Sequence, residues 1–304
     1  MTSFSVYHLS VFTYSLDAKD GGNPTSIFLN ADGLSSEEMQ SLTKESGHEC
    51  GFVLSGTADN ESHSDFTMRY WVPNHEMEMC GHATVGAVWI MDQQGLLPRT
   101  ERISISTKSG MVEAQVDRGG SEPRVFVSQP TGSVEDLSDA HVLEIMACLG
   151  IANEDLAPGY KVQNARTSRT KTLIPLQYRE ILNSLRIDSN SVSQICEKIN
   201  STGLYPYVVI NAEDQIVEAR QFPKSAGYPE DPATGIAAAA LSFGLLDDGM
   251  LSIDTTKPLV VRQGWAMGKP SEIQVQFGLH AGNVDGCWIS GKVRRIIQGN
   301  HDAE

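Results

Sequence analysis

Two stretches of this chain place anion-binding chemistry at the start of an apolar run. The first is Glu76-Met-Glu-Met-Cys80-Gly81-His82-Ala83-Thr84-Val85-Gly86-Ala87, which brings a thiol, a glycine and an imidazole together within three residues. Ahead of it, Phe66, Met68 and Tyr70 alternate with Thr67, Arg69 and Trp71, the period of a strand. Behind it, Val85, Ala87, Val88, Trp89, Ile90 and Met91 leave almost no polar face, which predicts a helix buried on all sides. The first turn of such a helix carries unpaired backbone N–H groups and the positive end of the peptide dipole, a ready site for a carboxylate or another anion. The second stretch is Glu230-Asp231-Pro232-Ala233-Thr234-Gly235-Ile236-Ala237, which leads into the apolar run Ala238 to Leu246. Ala83-Thr84-Val85-Gly86-Ala87 and Ala233-Thr234-Gly235-Ile236-Ala237 are nearly one pentapeptide with two residues exchanged. Recurrence in the same context, half a chain apart, predicts an internal duplication. Its geometric consequence is two lobes, each with a buried helix, whose N-termini face one small anion.

The elements that must position these residues belong to an ordinary globular composition. The chain has 304 residues, 40% of them hydrophobic and 20% charged, enough for two domains of about 150 residues or one larger one. A formal charge of −15 argues against nucleic acid or an anionic membrane as partner. The opening Met1-Thr-Ser-Phe-Ser-Val-Tyr-His has neither a basic start nor a long apolar core, so no signal peptide is expected. No apolar run reaches the length of a membrane span. Five cysteines without a CxxC pair point to reduced thiols in the cytoplasm. No HxH, HExxH or GxSxG occurs among the residues, so neither a metal site nor a serine elbow is expected.

In order, Ser5 to Thr13 reads as a strand, Gly21 to Pro24 as a turn and Thr25 to Leu29 as a second strand. Leu34 to Ser46 reads as a helix with a Ser35/Glu38 capping box. Phe52 to Leu54 is strand-like. Taken alone, Glu49 just ahead of it reads as a solvated loop carboxylate. Asp92 to Arg99 closes the first buried helix, and Arg102–Thr107 with Met111–Val116 reads as a hairpin. Arg118 to Pro123 is the best boundary. Ser138 to Leu149 reads as a helix with Val142, Leu143, Ile145, Met146 and Leu149 inward and Gly150 as its cap. Arg166 to Lys171 is a short basic run, read as a solvated loop. Lys171–Leu176, Tyr207–Ile210, Ile216–Gln221, Pro258–Arg262, Glu272–Phe277 and Cys287–Ile297 read as strands. Ser189–Asn200 and Gly235–Leu246 read as helices, and His301–Glu304 as a frayed end. Many strands, a few amphipathic helices and two all-apolar ones suit sheets curled around central helices better than a parallel doubly wound sheet.

Several motifs together resemble the phenazine-biosynthesis (PhzF-like) isomerase family. They are Gly22-Asn23-Pro24, Glu49-x-x-Phe52-Val53, Pro73-x-x-Glu76-x-x-x-Cys80-Gly81-His82-Ala83-Thr84-x-Gly86, Arg220-x-Phe222-x-x-x-x-Gly227, Glu230-Asp231-Pro232-Ala233-Thr234-Gly235, Gln263-Gly264 and Gly268-x-Pro270-Ser271. The resemblance spans essentially the full length, in the family's order. It implies the diaminopimelate epimerase-like fold: an α+β chain of two pseudo-duplicated lobes, each a curled, mostly antiparallel sheet around a buried central helix. The expected division is 1–118, 124–285, and a closing strand and tail over 286–304 returning to the N-terminal lobe. The resemblance further implies no metal or organic cofactor and a homodimer.

Residue by residue, the resemblance puts Glu49 at the general acid/base position, with His82 and Asp231 flanking the substrate. Gly81 and Gly235 fall where backbone N–H groups hold the substrate carboxylate, with Cys80, Ala83, Ile236 and His48 as further substrate-side positions. Three residues depart from the pattern. Ile236 stands where relatives have a small polar residue, and His48 also replaces one. Cys80 has a place reminiscent of the two-thiol racemases, but no second cysteine lies near the Asp231 motif. Cys80 is therefore read as a small buried residue. The expected function is cofactor-independent proton transfer between carbons of a small carboxylic acid. The rival expectations are a Cys80-based epimerase, racemase or dehydratase, and a non-catalytic binding protein.

Overall fold

The computed structural model describes residues 4–17, 20–56, 58–59, 62–100, 102–251 and 256–296. Within them lies one mixed sheet of 18 strands, with a separate two-stranded pair at Ala58–Asp59 and Ser62–His63. Six α-helices accompany it: α1 (Ser36–Ser46), α2 (Gly81–Gln93), α3 (Asp139–Leu149), α4 (Arg179–Ser184), α5 (Ser189–Lys198) and α6 (Gly235–Asp247). None of them is long and apolar enough to cross a membrane.

The strand pairings follow one order twice. Ser5–Thr13 runs antiparallel to Asn23–Leu29, which is parallel to Cys50–Ser55. That strand is antiparallel to Phe66–Val72, itself parallel to Ile103–Thr107, which is antiparallel to Gly110–Asp117. The second series begins with Gln163–Arg166, antiparallel to Thr170–Pro175, which is parallel to Gly203–Asn211. It continues antiparallel to Ile216–Ala219, parallel to Leu259–Gln263 and antiparallel to Ser271–His280. A parallel pair needs a crossover. The first crossover in each series is amphipathic: α1 in one, α4 and α5 in the other. The second crossover is α2 or α6. Arg124–Gln129 joins the two series by pairing with Gly110–Asp117 and with Asn283–Ser290. The chain end returns to its beginning, where Lys292–Arg295 pairs with Ser5–Thr13.

The crossover helices differ because their sequences do. Ser35 caps α1 and closes a capping box with Glu38, and Gly47 ends the helix in the left-handed region at φ 71°. Ser138 and Asp188 cap α3 and α5 in the same manner. By contrast α2 is buried from Gly81 to Met91 and α6 from Gly235 to Leu245, with no side-chain cap on either. All-apolar helices have no face to give to water, so the sheet wraps them. α2 packs on Ser5–Thr13, Asn23–Leu29 and Arg124–Gln129, and α6 on Gln163–Arg166, Ser271–His280 and Asn283–Ser290.

The starts of α2 and α6 converge on one side chain. A Cβ added at Gly81 would stand 2.8 Å from Ile289 Cδ1, and one added at Gly235 would stand 2.7 Å from the same atom. A side chain at either tip would have to displace the end of the Ile289 side chain.

Some local expectations shift. Leu143 is 65% exposed, because Val142, Ile145, Met146 and Leu149 already complete the inward i, i+3, i+4, i+7 face of α3. Helix α2 stops at Gln93, so Gln94 to Arg99 lies outside it. Arg118 to Pro123 is the connection between two strands that pair antiparallel. Helix α4 and the short strand His75–Met77 carry too few residues for a periodic signal. The single closing strand expected over 287–297 is two, Asn283–Ser290 and Lys292–Arg295, separated at Gly291. Ile297 and the tail through Glu304 lie outside the described residues.

Gly235→Ala is expected to lower unfolding free energy by about 1–3 kcal/mol, and adding Ile289→Val should recover part of it. Chemical denaturation of the single and double variants reads the coupling, and strict additivity would rule out Ile289 as the shared contact.

Candidate active site

The side chains singled out by chemistry meet at a cavity of about 150 Å³, whose lining includes Glu49, Cys80, Gly81, His82, Asp231, Gly235 and Ile236. Glu49 gets there because Gly47 ends α1 abruptly and the chain enters the strand Cys50–Ser55 three residues later. Thr25 Oγ1 holds the Glu49 carbonyl at 3.0 Å. Its carboxylate accepts two hydrogen bonds, from Tyr228 O–H at 2.8 Å on Oε1 and from Cys80 Sγ at 3.2 Å on Oε2. Tyr228 is 179 residues away in sequence, so folding alone supplies this donor. Burial first and the Glu49 charge second push the Tyr228 hydroxyl well above its ordinary pKa, so it remains a donor.

His82 is 4% exposed. Burial lowers its pKa to about 4, against smaller upward effects from the Asp231 charge and a hydrogen bond to the Pro24 carbonyl. The 3.4 Å contact between His82 Nδ1 and Glu49 Oε2 thus joins a neutral imidazole to a carboxylate rather than an ion pair. A neutral ring that donates to Pro24 keeps an unprotonated nitrogen for the other side. Cys80 Sγ lies 3.3 Å from His82 Nδ1. Burial and then the Glu49 charge raise the Cys80 thiol far above its ordinary value, so it stays protonated and donates.

Asp231 is held by a separate network. Asn23 Nδ2 donates to Oδ1 at 2.7 Å, and the Thr234 hydroxyl donates to Oδ2. Gln263 Nε2 donates to the Asp231 carbonyl at 2.6 Å, while Gln263 Oε1 accepts from Tyr205 O–H at 3.0 Å. Burial first, then the Glu49 charge, pushes the Asp231 pKa up to about 6. Next to it, Glu230 takes a bidentate pair from Arg220 at 2.9 and 2.7 Å. Arg220 also donates to the Leu182 and Leu185 carbonyls at 2.9 and 3.0 Å, tying this loop to the end of α4.

Between these carboxylates open the starts of α2 and α6, with no acidic residue in either first turn. Cys80 and Thr234 occupy the N-cap positions, yet neither side chain caps its helix. Backbone N–H groups left free at a buried helix start call for an acceptor from elsewhere.

Two expected substrate-side residues do not line the cavity. His48 is turned away into a chain with Ser26 and His8, at 3.0 Å from Ser26 Oγ, and burial followed by the His82 charge lowers its pKa to about 4. Ala83 is fully buried. Sequence reasoning missed Tyr228, Asn23, Gln221 and Lys171. For Lys171 a signal existed: Arg169-Thr-Lys171-Thr has the two-residue period of a strand, and the structure buries Lys171 in Thr170–Pro175 rather than in a solvated loop. His75 and Arg169 also line the cavity.

One cluster competes with the expectation of no metal. Donor atoms of Glu49, Cys80 and His82 all lie within 4.8 Å of one another. The set suits zinc chemically, but a metal would have to displace the proton that burial holds on Cys80. A second cavity of about 320 Å³, lined by Tyr160, Leu176, Tyr207 and Val209 among others, has no carboxylate, imidazole or thiol in its wall.

Comparison with known proteins agrees over the whole length. The family described as phenazine biosynthesis-like protein (PhzC-PhzF) matches residues 9–298. An uncharacterized isomerase of Escherichia coli K12, YddE, is 29% identical over 290 residues, covering 94% of each chain. A PhzF-family phenazine biosynthesis protein from Bacillus anthracis superposes with a TM-score of 0.83 at 24% identity, over 97% of this chain and 98% of that one. A probable proline racemase from Agrobacterium radiobacter K84 shares the fold at a TM-score of 0.61 and 11% identity, over 99% and 94% of the two chains. With the match running from the first strand to the last, the chain belongs to the phenazine biosynthesis-like (PhzC-PhzF) family.

Proposed function

We infer that this protein is an isomerase that moves a proton between carbons of a small carboxylic acid, without metal or organic cofactor, with Glu49 as general acid/base. The observation that carries the reading is the setting of Glu49, a carboxylate with two hydrogen-bond donors in the cavity where two uncapped helix starts open. The substrate carboxylate takes the free N–H groups at Gly81 and Gly235, with Ile236 against it. There the helix starts oppose the negative charge that builds up as a C–H proton leaves. Glu49 receives that proton and returns it to another carbon. His82, neutral with a free nitrogen, and Asp231 flank the reacting carbons and orient the intermediate. The two repeated halves act as lobes that enclose the acid and exclude water, as proton abstraction from carbon requires.

The alternative of thiol chemistry at Cys80 has less support. The thiol is held protonated, and none of the other described cysteines lines the cavity. The isomerase names of the relatives and the racemase-like neighbour fit either branch, so the test must separate the residues.

Glu49→Gln should slow solvent deuterium entry into a turned-over acid by about 10²–10⁴. Cys80→Ala should stay within about tenfold of the parent. The opposite ranking would transfer the chemistry to the thiol. Exhaustive dialysis against EDTA should leave the rate unchanged; a loss restored by zinc would make Glu49, Cys80 and His82 a metal centre.

Asp231 adds a pH signature. Its folded pKa of about 6 lies above the unfolded value of 3.8, so the folded chain keeps its proton longer. This favours folding below pH 3.8 and is lost as pH rises through about 6. Asp231→Asn should therefore gain relative to the parent by roughly 2–3 kcal/mol between pH 4 and pH 7.5. Denaturation at the two pH values measures this, and a pH-independent difference would show that Asp231 is not raised.

A further inference from the structure

The cavity wall opposite to all of this chemistry in sign has no role in the mechanism above. The protein carries a net charge of −15, yet Arg169 and Lys171 line the same cavity. Lys171 is the second residue of the strand Thr170–Pro175, and Arg169 precedes that strand by one residue. Lys171 is only 6% exposed. Among the described residues no hydrogen bond or ion pair reaches its ammonium or the Arg169 guanidinium. Other cations nearby are satisfied: Lys224 pairs with Glu197 and Arg220 with Glu230. A third orphan sits beside them. Gln221 is 1% exposed, lines the cavity, and has neither its amide nitrogen nor its amide oxygen hydrogen-bonded.

A buried ammonium is rare unless paired, and an unpaired amide costs its full desolvation. Two such groups, Lys171 and Gln221, beside the half-buried Arg169 guanidinium, mark a place where a ligand completes the protein. We propose that Arg169, Lys171 and the Gln221 amide form a second anion subsite, so that the substrate is a dianionic acid with one carboxylate at the helix starts and a second acidic group on this wall. The second group is a carboxylate or a phosphoryl group, since both suit a paired cation site. Burial, and then the neighbouring Arg169 charge, lowers the Lys171 pKa to about 8, which leaves it charged at neutral pH. The Glu49 and Asp231 charges act the other way but more weakly, and neither carboxylate lies within ion-pair distance of Lys171. The first carboxylate in this proposal rests on the isomerase reading; the second does not.

The test is calorimetric titration of the full chain with three probes of similar length: butyrate, glutarate and 3-phosphonopropionate. The parent protein should bind at least one of the two dianions about tenfold or more tightly than butyrate, and the tighter of the two names the second group. Lys171→Met should bring that dianion down to the butyrate level, leave butyrate unchanged, and keep or raise the thermal midpoint, because it removes an unpaired buried charge. Arg169→Gln, at a more exposed position, should reduce the preference without loss of folding. Equal binding of butyrate and both dianions by the parent overturns the subsite alone. So does a Lys171→Met variant that unfolds at lower temperature and loses all probes together, because Lys171 would then be a counter-charge for Glu49 and Asp231. Failure of every probe to bind removes the carboxylate site at the helix starts as well. A preserved dianion preference in a Glu49→Gln protein whose deuterium exchange is unimpaired sinks the mechanism and leaves the subsite standing.

Discussion

Two helices begin in the interior with nothing of their own to satisfy their first N–H groups. On three other helices the start is closed by a side chain: Ser35 on α1, Ser138 on α3, Asp188 on α5. On α2 and α6 the N-cap side chains turn to other tasks. Cys80 donates to Glu49, and Thr234 donates to Asp231. The donors given up by the helix ends are thus available to a ligand, at the positive end of two dipoles. The glycines at these tips, crowded onto Ile289, keep the two ends adjacent.

Around that positive focus the protein gathers carboxylates and keeps the side chains that touch Glu49 neutral. His82 is too buried to hold a proton at neutrality, and Cys80 is too buried and too close to Glu49 to lose one. Tyr228 likewise remains a hydroxyl. Glu49 therefore meets only neutral donors and a neutral ring, and its partners come from both halves of the chain. Asp231 is treated differently. Asn23 and Thr234 donate to its oxygens, Gln263 fixes its backbone, and the Arg220–Glu230 pair anchors the loop that carries it. Breaking such a buried pair leaves an uncompensated charge, which makes that loop costly to displace. The orphaned Lys171, Arg169 and Gln221 break this pattern of satisfaction, and for that reason they point to the ligand rather than to the scaffold.

Much of this was legible in the residues. The all-apolar runs after Gly81 and Gly235 specify helices that only a wrapped sheet can bury, because they have no polar face for water. The capping box at Ser35 and the glycine at 150 are local hydrogen-bond and φ requirements, readable without tertiary contacts. The repeated Ala-Thr-containing pentapeptides announced a repeated pairing order. The family resemblance carried by the ordered motifs singled out Glu49, His82 and Asp231, all three of which line one cavity, whereas position alone made Glu49 a solvated loop carboxylate. What sequence determined, then, is what short-range physics encodes: hydrophobic period, caps, turns, and residue types at motif spacing.

Tertiary structure decided which side chains share a dielectric and a cavity. Tyr228 meets Glu49 across 179 residues and Asn23 meets Asp231 across 208, separations over which no periodicity carries information. Burial of Lys171, and the absence of a partner for it, depends on the register of Thr170–Pro175 against its neighbours and on where that edge falls relative to the cavity. His48 went the other way: adjacent to Glu49 in the chain, it is drawn to Ser26 and does not line the cavity. Charge states follow the same logic. A histidine shifted to about 4 and an aspartate to about 6 reflect loss of water and nearness of other charges, quantities that exist only once the chain has closed around them.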